Sequence, residues 1–135
     1  IFPTVAAIAG AEDLIPAGYA VDGADCRGYY AGGASDPERP LRFHYPHGWN
    51  FQVPEHEAHS EMRVGDWKII YWYYRGEWEL YNLAEDIGER NNLAAKEPAR
   101  LRAMAERLVA EYDAMGAQWP IQLATGAAFK PPIPG

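Results

Sequence analysis

The chain has 135 residues, 19 of them Asp or Glu against 12 Lys or Arg, for a formal net charge of −7; 48% of its residues are apolar. Phosphate-backbone binding needs clustered Lys and Arg, and no such cluster occurs, which argues against a nucleic-acid partner. The lone Cys26 rules out an internal disulfide, and no run approaches the roughly 20 apolar residues that a membrane-spanning helix requires.

In chain order, Ile1 to Gly10 places Phe2, Val5, Ile8 and Ala9 at helical spacing, with Pro3 suited to a first turn and Gly10 to a C-terminal cap. The run starts abruptly, with no initiator Met and no basic leader, and reads as a piece of something longer. Ala11 to Pro40 is rich in Gly, Ala, Asp and Pro without periodicity, so a long N-terminal loop is expected; stretches of that length are uncommon inside a compact domain. From Leu41 the pattern turns to strand: Leu41 to Tyr45, Glu61 to Val64, Trp67 to Tyr74 and Trp78 to Leu83, with short Gly-containing turns at Gly65-Asp66 and Arg75-Gly76. Strands joined this way read as an antiparallel meander.

The third of these runs does not alternate. A strand with one solvated face carries a polar residue at every second position, yet only Lys68 is charged in Trp67 to Tyr74. Both faces therefore expect cover, one from within the chain and the other from outside it, which leaves part of this run exposed here. Ala84 to Asn92 is a polar connection with Gly88 placed to turn. Glu97 to Met115 carries an apolar stripe of Leu101, Met104, Leu108, Tyr112 and Met115, the signature of an amphipathic helix, with Pro98 at its start and Gly116 just past its end. Arg102 with Glu106 and Arg107 with Glu111 are spaced to pair on its outer face. The tail from Gln118 is Pro-rich and reads as extended. The expected fold class is α+β: a small antiparallel sheet of about four strands packed against the C-terminal helix, in one domain over 1–135.

Chemistry-bearing patterns are sparse. His44 with His47 and His56 with His59 share one spacing, and with Glu55, Glu57 or Glu61 nearby they raise a zinc site. Pro46 keeps the first pair off a helix face, and no cysteine stands beside either. Loop histidines are the simpler account. Ser35 and Ser60 lack a G-x-S-x-G context, and Gly28 to Gly33 lacks the Lys and Ser/Thr of a phosphate-binding loop. The aromatic residues between 67 and 81 fit either a packed core or a sugar-stacking platform. By these residues alone the chain has no complete catalytic site and no metal site.

Several segments in order resemble the sulfatase family. They are Ile1-Phe2-Pro3-Thr4-Val5 with Gly10, Asp22-Gly23, Arg39-Pro40-Leu41, Phe43-His44-Tyr45-Pro46-His47, and Met62 through Ile70 (MRVGDWKII). Glu79-Leu80-Tyr81-Asn82-Leu83, Asp86-Ile87-Gly88-Glu89 and Asn91-Asn92-Leu93-Ala94 complete the set. Order and spacing are similar to the C-terminal third of bacterial arylsulfatase-like enzymes of the alkaline phosphatase superfamily.

The resemblance implies an appendage to an N-terminal catalytic α/β domain on the same polypeptide, contributing to its fold and substrate pocket and inactive alone. In the parent it implies sulfuric ester hydrolysis by formylglycine with calcium, on a sulfated carbohydrate or aryl sulfate, in a periplasmic or secreted setting. The nucleophile motif C/S-x-P/A-S-R does not occur here, so the cofactors are expected in the parent and none in this chain. Cys26 is followed by Arg27-Gly28-Tyr29-Tyr30 and does not fit that motif. His44 and His47 are implied as substrate-side residues on a rim over the pocket, with Arg63 and Lys68 as weaker candidates whose charges could instead pair with Asp66 or Glu79. Gly48 to Ser60 departs from the small-residue insert of relatives. The alternative is a stand-alone carbohydrate-binding or protein-interaction module using surface aromatics, and a homodimer through an exposed face remains open.

Overall fold

The computed structural model describes residues 1–19, 21, 23–33, 36–47, 57–122 and 124–135. They form two compact units, Ile1–Pro37 and Glu38–Gly135.

In the first unit, helix α1 (Phe2–Ile8) carries Pro in its first turn, as its sequence predicts. The expected loop is more structured than its composition suggests: it holds a 3₁₀ turn, Glu12–Leu14, and a one-turn helix α2, Arg27–Tyr30. Side chains organise it. The Thr4 hydroxyl accepts the Cys26 N–H at 2.9 Å, and Arg27 donates to the Ala7 carbonyl at the end of α1 at 2.9 Å. Arg27 also meets Asp25 and Glu12. Asp25 is held below the usual carboxylate value, first by the Arg27 backbone N–H and then by its guanidinium. These bonds turn Thr4, Ala6 and Ala7 inward, so Phe2, Val5 and Ile8, the stripe legible in the sequence, stand exposed.

The second unit is a four-stranded antiparallel meander, β1 (Leu41–Tyr45), β2 (His59–Val64), β3 (Trp67–Trp72) and β4 (Glu77–Asn82), followed by helix α3 (Pro98–Ala114). Val64 pairs with Trp67, so the β2–β3 loop is the two residues Gly65-Asp66. Gly65 has φ 56°. A Gly at the first position suits the tight hairpin turn whose twist matches the strands. The β3–β4 loop, Tyr73 to Gly76, closes with the Gly76 N–H on the Trp72 carbonyl at 2.9 Å. This turn ends β3 two residues earlier than the apolar run predicts.

One face of the sheet carries Met62, Ile69, Tyr71 and Leu80 against Leu101, Ala105, Leu108 and Tyr112 of α3, all buried. Burying a Leu or Ile side chain contributes about 1.5–3 kcal/mol, so this seam is the unit's main source of stability. The tail closes it: Trp119 and Phe129 pack on the same core, and the Trp78 indole N–H donates to the Pro132 carbonyl. Most aromatic residues between 67 and 81 are therefore packing residues.

The opposite face is less open than expected: Lys68 and Trp72 are half-buried and Tyr74, at the end of the run, is exposed, but the centre of the face is closed. Ile70 is 4% exposed, covered by Tyr81, Leu83 and Trp72 of the same chain. Lys68 lies beside it, 3.1 Å from Glu61 and 2.9 Å from Glu89. Apolar exposure on this face sits instead on the edge strand β1, at Leu41 and Phe43. The other edge is sealed, since Asn92 Oδ1 accepts the Leu80 N–H and the Leu93 N–H donates to the Leu80 carbonyl. Such cover keeps an edge strand from pairing elsewhere.

Candidate functional site

The His-Tyr-Pro-His segment lies at the C-terminal end of β1, and its two histidines diverge. His44 projects to the α3 side. Its Nδ1 lies 2.7 Å from Ser60 Oγ and its Nε2 lies 2.8 Å from the Gln118 carbonyl. Its ring rests between Tyr112 and Trp119, with centroids 4.8 and 5.6 Å away. Both nitrogens are engaged within the chain. His47 is exposed, and its ring meets Tyr45 at 5.4 Å.

From His47 a series of rings crosses the sheet on the side away from α3. Tyr45 approaches His59 at 5.8 Å, His59 approaches Trp72 at 4.8 Å, and the Arg75 guanidinium covers Trp72 at 4.3 Å. Glu57 fixes Arg75 through a 2.9 Å ion pair and also accepts the backbone N–H groups of Tyr74 and Arg75. The Trp72 indole N–H is buried and has no acceptor among the described residues. Sequence reasoning raised His59 only as a zinc candidate and Trp72 only among the aromatic residues of 67 to 81. Their pairing escaped it, although the two-residue turn at Gly65-Asp66 sets the register that brings them together. Tyr45 joins them across a long connection whose length no turn fixes.

The weaker candidates find partners other than those expected. Lys68 pairs with Glu61 and Glu89, and Arg63 donates to the Gly65 carbonyl, 2.9 Å away. Neither pairs with Asp66 or Glu79. Burial pushes the Lys68 ammonium down, but the Glu89 hydrogen bond and the Glu61 charge outweigh it and hold its pKa above the ordinary lysine value. Ser60 does meet a histidine, but it is fully buried, so no substrate carbonyl or sulfur can reach its hydroxyl. Among the described residues no group of three or more His, Cys, Asp or Glu could hold a metal ion. Glu55 and His56 lie outside the described residues.

No protein-family model matches the chain. A protein of Formosa agariphila named sulfatase is 31% identical over 105 residues, which is 73% of this chain and 19% of that relative. The chain is a relative of the sulfatases. It spans about a fifth of that curated relative's length.

Solved structures agree at the level of the fold. The protein yidJ of Bacteroides fragilis, by name a sulfatase, matches 86% of this chain and 24% of its own, with a TM-score of 0.66 at 16% identity. A protein solved with its substrate D-glucosamine-2-N,6-O-disulfate matches 83% of this chain and 23% of its own, with a TM-score of 0.59 at 24% identity. Ps i-CgsB, solved in complex with k-i-k-neocarrahexaose, matches 93% of this chain and 26% of its own, with a TM-score of 0.63 at 20% identity. The sheet and helix are thus a recurrent part of larger sulfatase-type chains, consistent with a C-terminal subdomain.

Proposed function

We propose that this chain is the C-terminal subdomain of an arylsulfatase-like sulfuric ester hydrolase, where it completes the fold and forms one wall of the substrate pocket of an N-terminal catalytic domain. The observation that carries the reading is the 31% identity to a sulfatase across 73% of this chain, set against only 19% of that relative. A sulfated carbohydrate is the substrate class favoured, because D-glucosamine-2-N,6-O-disulfate and k-i-k-neocarrahexaose are bound by two proteins of the same fold.

The rim role falls to the end of β1. His47 is exposed there, in a position to donate a hydrogen bond to a sulfate or hydroxyl oxygen, and is the substrate-side residue of this reading. His44, three residues before it in the chain, acts on substrate through the placement of that rim. The formylglycine and calcium of the parent belong to the catalytic domain. The described residues here do not form a ligand set for calcium, so no chemical step is assigned to this chain. The edge strand's exposed Leu41 and Phe43 suit cover by that domain.

Sequencing the reading frame upstream of Ile1 tests this reading. An α/β domain containing C/S-x-P/A-S-R is expected; a start codon immediately before Ile1, preceded by a stop, would sink it.

A further inference from the structure

Three hydrogen bonds in series run from the interior of the sheet to the tail. Tyr73 Oη lies 2.7 Å from Ser60 Oγ, Ser60 Oγ lies 2.7 Å from His44 Nδ1, and His44 Nε2 lies 2.8 Å from the Gln118 carbonyl oxygen. The last member fixes the direction of all three, because a carbonyl can only accept. His44 Nε2 therefore carries the proton. In a neutral ring Nδ1 is then the acceptor, so the Ser60 hydroxyl donates to it. That uses the only proton Ser60 has, and the Tyr73 hydroxyl must donate to Ser60 Oγ. Burial pushes the Tyr73 pKa up to about 12, so Tyr73 keeps this proton throughout the ordinary pH range.

We propose that His44 is a positioning residue, locked as the Nε2–H tautomer by this relay, which buckles the C-terminal tail to the end of β1 and so holds the Tyr45-Pro46-His47 rim in place. Ser60 is fully buried and Tyr73 is 7% exposed, so water does not compete for the two inner bonds. The ring itself is gripped from α3 by Tyr112 and from the tail by Trp119. The Trp119 indole N–H is tied in turn to Asp113, which also holds Lys130 at 2.7 Å. The strand end, the helix and the tail thus meet at one imidazole. The importance of the rim rests on the pocket-wall reading above; the hydrogen-bond relay does not.

The test uses the 135-residue chain alone and needs no substrate, so failure of the sulfatase reading leaves it intact. In ¹⁵N-labelled protein at about pH 8, above the ordinary imidazole pKa, His44 is expected to show a protonated Nε2 and an unprotonated, hydrogen-bonded Nδ1. A Nδ1–H tautomer, or an averaged mixture, overturns the proposal. Amide exchange supplies the second readout, at the Phe129 N–H bonded to the Pro120 carbonyl and the Gln122 N–H bonded to the Ala127 carbonyl. His44→Ala should speed exchange at both by about five- to tenfold, the loss of roughly one hydrogen bond. His44→Gln, whose amide can still donate toward Gln118, should recover most of the protection. The Leu93 N–H, bonded to the Leu80 carbonyl on the far edge, should be unchanged and so separates local release from global unfolding. Tail exchange equal in wild type and His44→Ala, with Leu93 protected in both, contradicts the buckle. Should the Ala variant unfold, the wild-type tautomer decides alone.

Discussion

The Tyr112 hydroxyl donates to the Glu61 carbonyl at 2.8 Å from a ring that is 1% exposed. Tyr112→Phe keeps the ring and removes that bond, and is expected to lower the unfolding free energy by about 0.5–1.5 kcal/mol in a denaturant titration. A variant as stable as wild type would mean that the hydroxyl is solvated in the native state. Tyr73 and Tyr81 extend the argument to pH. Burial raises both from 10.0 to about 12, helped at Tyr81 by the charge of Glu79. Their folded values lie above their unfolded ones, so the stability they contribute is complete below pH 10 and is lost as pH rises through 12. Unfolding free energies followed from about pH 8 upward should begin to fall near pH 10; a flat profile to pH 12 would contradict the burial of these hydroxyls. Glu89 is the one described non-Gly residue with positive φ, at 52°, directly after Gly88. Sequence reading puts the turn at the glycine, whereas the backbone reverses at the residue whose carboxylate reaches Lys68.

At the scale of elements, α3 divides cleanly between buried and exposed positions. Leu108 is fully buried against the sheet and Met115 is 44% exposed, although both belong to the same stripe in the sequence. Leu108→Ala is expected to cost about 2–5 kcal/mol through lost contacts and a residual cavity, while Met115→Ala should stay within about 0.5 kcal/mol. Comparable losses at the two sites would contradict this placement of the helix. The Arg102–Glu106 pair forms at 3.1 Å between half-exposed side chains and is worth only a few tenths of a kcal/mol.

These elements were legible because their signals are local: a 3.6-residue period for α3, and turn glycines for the meander. What stayed illegible depends on distant partners. Phe2, Val5 and Ile8 form a regular stripe, but Thr4 and Ala7 are drawn inward by hydrogen bonds to residues about 20 positions away. Ile70 is covered by Tyr81 and Leu83, which a strand pattern cannot reveal. Of the candidate site, the His-Tyr-Pro-His segment was visible from resemblance. The occupation of both His44 nitrogens was not, since its partners Ser60 and Gln118 stand 16 and 74 residues away.

For the whole molecule, kinship with the sulfatases rests on sequence identity to one curated relative, and the fold is shared with solved structures about four times as long as the matched part. The proposed division of labour places the nucleophile and calcium elsewhere on the parent chain and leaves this subdomain as a wall. Two features of the chain agree with that division. Its buried Ser60 is closed to substrate, and the run Ser35-Asp36-Pro37-Glu38-Arg39 carries Glu38 where the C/S-x-P/A-S-R motif requires Ser. The most direct measurement is turnover of a chromogenic aryl sulfate by the purified 135-residue chain with calcium present. The account predicts a rate indistinguishable from the no-protein control; hydrolysis above that control, proportional to protein concentration, would contradict it.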